Sequence, residues 1–220
     1  MYRYVLWDMD GTIANTYEGI RNCVDYALDH FGMGPLEDEE YNQFIGPPLR
    51  VSIPAALGFD EETTERAIAL FRERYVPIGV YECTMFPGVR EAMERLADGG
   101  MVQSVASSKV KEMCQDVLDK FGISDLMDYV VGATMDGRID SKIQVLEEAF
   151  RVISQDHPDF DKSQVILIGD TRYDAMGAQQ AGIDCVGIEY GFGTREELEE
   201  NGVLAVFKTL DQVCDFILDR

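Results

Sequence analysis

Four groups of polar residues, each placed just beyond a short apolar run, are where this chain could do chemistry. Asp8 and Asp10 follow Tyr4 to Trp7, Ser107-Ser108-Lys109 follow Met101 to Ala106, and Asp170 with Asp174 follow Val165 to Ile168. Lys142 opens a helical pattern after the run Tyr129 to Val131. Carboxylates held close together repel one another unless a divalent cation or an ammonium compensates. Hard oxygen donors with room for water favour Mg2+. Carboxylates, Mg2+, a hydroxyl donor and a lysine are the parts that position a phosphoryl group and neutralise its charge during in-line transfer. The indicated reaction is phosphoryl transfer, if one fold brings the four groups together.

The elements between them say how that happens. The apolar runs named above, with Cys185 to Ile188 and Val203 to Phe207, read as buried strands. Helical patterns separate most of them, such as Met113, Val117, Leu118 and Phe121 closed by Gly122, and Ile143, Leu146, Ala149, Phe150 and Ile153. Strands alternating with helices predict an α/β fold, a Rossmann-like doubly wound parallel sheet covered on both faces. Ligands of such sheets bind beyond the carboxyl ends of the strands, so the four groups should meet in one crevice. Residues 15–82 break the alternation. Ile20, Val24, Ala27, Leu28 and Phe31 share one helical face, and Ala67, Ile68, Phe71 and Tyr75 share another. This predicts an all-helical insert within a core made of residues 1–14 and 83–220. Inside it, Tyr41 to Arg50 is punctuated by Gly46, Pro47 and Pro48 and reads as a structured loop.

With order and spacing laid out, Asp8-Met9-Asp10-Gly11-Thr12 resembles the first motif of the haloacid dehalogenase superfamily. Ser107 with Ser108-Lys109 resembles its second, Lys142 its third, and Gly169-Asp170-Thr171-Arg172-Tyr173-Asp174 its fourth. The insert stands where such proteins carry a cap. Ile45-Gly46-Pro47-Pro48-Leu49 and Tyr190 to Leu198 add similarity to phosphoglycolate phosphatase-like members. The resemblance implies a phosphatase of a small phosphorylated metabolite, with Mg2+ and an aspartyl-phosphate intermediate. It makes Asp8 the nucleophile, Asp10 the acid and base, and Lys142 the catalytic cation. Ser107, Ser108, Gly11 and Thr12 become the phosphate-binding set. Asp8, the Asp10 backbone carbonyl, Asp170 and Asp174 form the metal set, with Asp174 orienting a bound water or Lys142. The second Asp favours a phosphatase over a dehalogenase. Two departures stand out: Asn15-Thr16 where the family often has Asp-Ser, and Ser107-Ser108-Lys109 where it often begins with Thr. Ser keeps the hydroxyl donor. Cap contacts with substrate are expected from Tyr17, Asn42 and Arg50, and hinges near Ala14 to Thr16 and Glu82 to Pro87.

Simpler readings exist for each motif alone. Asp10-Gly11 could be a hairpin turn, but no alternating strand returns after Thr12. Acids at a helix N-terminus could explain Asp170 and Asp174, Ser107 could be an N-cap, and Lys109 competes with Lys142 for its role. It is the set of four, in order, that favours the catalytic reading. Competing activities are a β-phosphoglucomutase-like phosphotransferase, a 5'-nucleotidase, a pyrophosphatase, or a catalytically silent relative that binds a partner.

Composition bounds the partners. Among 220 residues, 41 Asp and Glu stand against 19 Lys and Arg, a formal charge of −22. That argues against nucleic acid and against an anionic membrane surface, both of which are recognised through Lys and Arg. Local charge can still differ from the whole, because screening acts over about 8 Å at physiological salt. Five cysteines, widely spaced and without a Cys-x-x-Cys pair, suggest neither a disulfide framework nor a zinc site. With no signal-like start and no long apolar run, the expected setting is cytoplasmic, with no obligate protein partner.

Overall fold

Residues 1–219 are described by a computed structural model. In chain order the elements are β1 (Tyr4–Trp7), β2 (Ala14–Asn15), α1 (Tyr17–His30), α2 (Leu49–Leu57), α3 (Glu61–Tyr75), β3 (Thr84–Met85), α4 (Val89–Asp98), β4 (Val102–Val110) and α5 (Lys111–Phe121). They continue with β5 (Tyr129–Ala133), α6 (Lys142–Asp156), β6 (Val165–Gly169), α7 (Arg172–Ala181), β7 (Asp184–Ile188), α8 (Arg195–Glu200), β8 (Val206–Phe207) and α9 (Leu210–Leu218).

Six strands form one parallel sheet in the order β5-β4-β1-β6-β7-β8. Strand order reverses at β1, the place where a doubly wound sheet opens a crevice. Side chains alternate across the sheet. Val5 and Trp7 pack on one face with α4, α5 and α9, in a hydrophobic cluster that runs on into α1 and α3. Tyr4 and Leu6 pack on the other with α6 and α7. Because Trp7 lies opposite both Val105 and Ile168, the residues that follow these three strands leave the sheet on one level. Register alone therefore gathers Asp8, Ser107 and Asp170.

The insert is helical as expected, and its two connections to the sheet touch. Ala14 pairs with Met85 and Asn15 with Thr84 in an antiparallel two-residue ribbon, β2 with β3. The Phe86 amide donates to the Ile13 carbonyl at 3.1 Å, and the Gly19 amide to the Glu82 carbonyl at 3.0 Å. Such a ribbon is too short to leave a periodic pattern in sequence.

Three boundaries differ from expectation. β4 runs on to Val110 with a register shift between Ser107 and Val110, so Ser107-Ser108-Lys109 lies inside an irregular strand end and not after it. β8 is confined to Val206–Phe207, shorter than the apolar run from Val203. The expected loop from Tyr41 to Arg50 is partly helical. A 3-10 turn spans Asp38–Phe44 and buries Tyr41 and Phe44, whose three-residue spacing suits that helix, while Arg50 sits in α2.

Candidate active site

Beyond the ends of β1, β4 and β6, four carboxylates and two ammonium groups are gathered below the surface. Asp8, Asp10, Ser107, Lys109, Lys142, Asp170 and Asp174 are all buried. The Lys142 ammonium lies 2.5 Å from Asp8 Oδ1, 2.7 Å from Asp174 Oδ1 and 3.0 Å from the Ala106 carbonyl oxygen. It reaches them because Lys142 is the first residue of α6. That start is fixed by the Gln144 side chain, which accepts from the Ser141 amide at 3.3 Å.

Asp174 serves two purposes at once. Its Oδ2 accepts from the Thr171 amide at 3.1 Å and hydroxyl at 2.9 Å, closing the first turn of α7, while Oδ1 holds Lys142. The simple reading of Asp174 as a helix-start acid and the reading that ties it to Lys142 are both true of one side chain.

Asp170 is gripped from three sides. The Thr12 hydroxyl donates to its Oδ1 at 3.1 Å and the Phe192 amide to its Oδ2 at 2.8 Å. Gly11, at a φ of 90°, brings backbone so close that a Cβ there would fall 2.0 Å from Asp170 Oδ2, and a Cβ at Gly191 would fall 2.4 Å from it. Only glycine fits either place. The Thr12 hydroxyl is thus engaged with Asp170. Its carbonyl in turn accepts from the Tyr190 hydroxyl at 2.8 Å. The Gly191-Phe192-Gly193 turn was noticed in sequence only as a family resemblance. Its physical task, donating one amide to a buried carboxylate, has no pattern of its own beyond small residues next to an aromatic.

Asp10 has its own cation. Lys109 Nζ lies 2.9 and 3.2 Å from the two Asp10 oxygens and is also bonded to the Tyr75 hydroxyl. Lys109, considered in sequence as a rival to Lys142, takes a separate carboxylate. Tyr75 was read as a core-facing aromatic of α3. Its ring does stack on Phe71, with centroids 5.1 Å apart, and its hydroxyl is the part that pattern reasoning missed.

Charge is not balanced. With all four carboxylates ionised, Asp8, Asp10, Asp170 and Asp174 against Lys109 and Lys142 would leave two negative charges out of bulk water. Burial, then the charge of Asp174, push Asp8 up to about 7, with Lys142 pulling the other way. Burial and the charges of Asp174 and Asp8 likewise raise Asp170 well above the usual carboxylate range. For Lys142, burial acts downward, but Asp174 and Asp8 overcome it and the net shift is upward. Side-chain oxygens of Asp8, Asp170 and Asp174 lie within 4.8 Å of one another. A compact, oxygen-only donor set with an excess of two negative charges fits a divalent cation.

Above Asp10 opens a cleft of about 120 Å³, walled by Ser108 and Lys109 on the sheet side and by Phe44, Leu49, Ile68 and Phe71 on the helical side. Of the three expected cap contacts, Arg50 lines this cleft, though its guanidinium is paired with Glu65. Asn42 lies elsewhere, on a groove it shares with Thr171, Tyr173 and Phe192. The Tyr17 hydroxyl donates to the Asp38 carbonyl at 3.0 Å and its ring meets Tyr41, so a local bond engages it outside the cleft. Asn15 accepts from the Tyr17 amide at 3.2 Å, a local role at the start of α1.

The haloacid dehalogenase-like hydrolase family matches residues 5–188, a span that holds every residue of the cluster. The chain belongs to that family. Among its relatives, a 5'-nucleotidase of Pseudomonas aeruginosa is 31% identical over 90% of this chain and 87% of its own. Phosphoglycolate phosphatase 1 of the same organism is 25% identical over 98% of this chain and 82% of its own. A crystal structure of a predicted phosphatase from Clostridium acetobutylicum superposes with a TM-score of 0.94 at 32% identity, covering all of both chains. The family and the Rossmann-like parallel sheet expected from sequence are both borne out. No helix among the described residues is long and apolar enough to cross a membrane.

Proposed function

We propose that this hydrolase is a Mg2+-dependent phosphatase of small phosphomonoesters that works through an aspartyl-phosphate. The observation that carries the reading is the buried cluster itself, in which one ammonium joins Asp8 to Asp174 beside Asp170. Asp8 is the nucleophile: its carboxylate oxygen bonds to phosphorus as the bond from phosphorus to the leaving oxygen breaks. Asp10 gives that oxygen its proton. Asp10 then takes a proton from a water whose oxygen attacks phosphorus, and the bond from phosphorus to Asp8 breaks, freeing phosphate and Asp8. Lys142 offsets charge on Asp8 and on the phosphoryl oxygens, Ser107 and Ser108 bind the phosphoryl group, and Asp174 keeps Lys142 in place. Asp8, Asp170 and the Asp10 carbonyl would hold Mg2+, which would supply further neutralisation of the phosphoryl charge.

In this reading residues 15–82 are a cap domain over a core of 1–14 and 83–220. The cap moves on the paired linkers at Ala14 to Thr16 and Glu82 to Pro87 and excludes bulk water during transfer. A panel of aryl phosphate, 2-phosphoglycolate, nucleoside monophosphates, sugar phosphates and pyrophosphate with Mg2+ tests it. Phosphate release abolished by EDTA, and reduced on the order of 10⁴-fold or more in Asp8→Asn, is expected. An Asp8→Asn protein as active as the parent removes Asp8 from the mechanism.

A further inference from the structure

The arginines of the helical insert differ in one respect. Arg21 is paired with Asp38, Arg50 with Glu65 and Arg74 with Glu82. Arg66 is exposed and lies over the Phe31 ring. Arg72 alone among them is half-buried with no carboxylate partner among the described residues. Its one hydrogen bond goes to the Met135 carbonyl at 3.3 Å. It lines the cleft that Asp10 and Lys109 also line, and Arg50 is on the same wall. Burial and then the charge of Arg50 press its guanidinium below the ordinary value, with only Glu65, already engaged by Arg50, acting the other way. A half-buried cation beside a second cation is unfavourable for the fold, and it gains from an anion that enters the cleft.

We propose that Arg72 is a specificity residue that receives a second anionic group of the substrate, a carboxylate or a phosphate away from the scissile phosphoryl group. This rests on the phosphatase reading and narrows it to phosphomonoesters that carry a second anionic group and whose body lies along the apolar wall of Phe44, Leu49, Ile68 and Phe71. A guanidinium suits either anion, because its planar fork donates two parallel hydrogen bonds. Lys109, by contrast, is taken up by Asp10 and Tyr75 and is not free for this task.

Matched esters test it with the full chain and Mg2+. 2-Phosphoglycolate against ethyl phosphate is the carboxylate arm, and glucose 1,6-bisphosphate against glucose 6-phosphate is the phosphate arm. In at least one arm the ester with the second anionic group should have a kcat/KM at least tenfold above its partner, carried mainly by KM. Arg72→Gln should shrink that ratio at least tenfold, Arg72→Lys should restore part of it, and Arg66→Gln should leave it within twofold. Because the ratio is taken within one protein, a general loss of folding or catalysis cancels. A parent that hydrolyses all four esters without preference overturns the subsite and leaves the phosphatase reading intact. So does an Arg72→Gln protein that keeps the parent's ratio. A parent that hydrolyses no ester on the wider panel overturns the phosphatase reading and this one with it.

Discussion

The cluster at the strand ends and the cleft above it are built by different rules. In the cluster, most polar atoms have a fixed partner, and the positions follow from strand register: Trp7 opposite Val105 and Ile168 decides where Asp8 meets its neighbours. In the cleft, aromatic and aliphatic walls are supplied by helices that belong to no sheet, and one arginine keeps a weak carbonyl contact where its neighbours have carboxylates. In the proposed mechanism the chemistry is carried by the rigid element, where half an ångström matters. In the proposed reading, the choice of substrate falls to the helical walls, which touch the cluster through Tyr75 and Lys109.

Breaking the cluster should cost most. Lys142→Met leaves Asp8 and Asp174 buried without their shared cation, and removal of one partner from a buried pair costs about 3 to 5 kcal/mol. Urea unfolding should show that loss together with loss of phosphatase activity. A variant within about 1 kcal/mol of the parent means that the cluster is less dependent on its ammonium than its geometry says.

Tyr75→Phe probes the seam between the two regions. It removes the hydroxyl that Lys109 shares with Asp10 while keeping the ring stacked on Phe71. The expected destabilisation is about 1 to 3 kcal/mol, the cost of leaving a buried donor short of a partner. The same unfolding measurement checks it, and no change would show that Asp10 alone satisfies Lys109.

Glu82, on the linker outside both regions, should matter least. Its hydrogen bonds to Arg74 hold its carboxyl below the usual range, and both side chains are partly exposed. Because the folded value is the lower one, the stabilisation is present above the unfolded pKa and disappears as pH falls through the folded one. Glu82→Gln should therefore cost less than about 1 kcal/mol at pH 7, screened by salt. The difference from the parent should shrink and disappear as pH falls below the folded carboxyl value of Glu82.

Much of the cluster was legible because a strand end followed by a carboxylate is a local pattern: Asp8, Asp170 and the start of α6 at Lys142 were all placed by runs of apolar residues. Partnership was not legible. That Lys109 belongs to Asp10, that Thr12 holds Asp170 and that Phe192 offers its amide to the same carboxylate depend on residues about 20 to 160 positions apart, and the separation leaves no periodicity. The cleft was least legible of all. Of the expected cap residues only Arg50 lines the cleft, Asn42 and Tyr17 lie outside it, and the place of Arg72 on its wall leaves no pattern in the sequence.

The ribbon of β2 and β3 means that the chain leaves the sheet and comes back to it at nearly one point. Between them the insert forms a closed loop, with α1 packed on α3 and its two ends held side by side by the ribbon. The insert is nevertheless tied to the sheet away from that point, through the Tyr75 hydroxyl on Lys109 and the hydrophobic cluster that α1 and α3 share with β1.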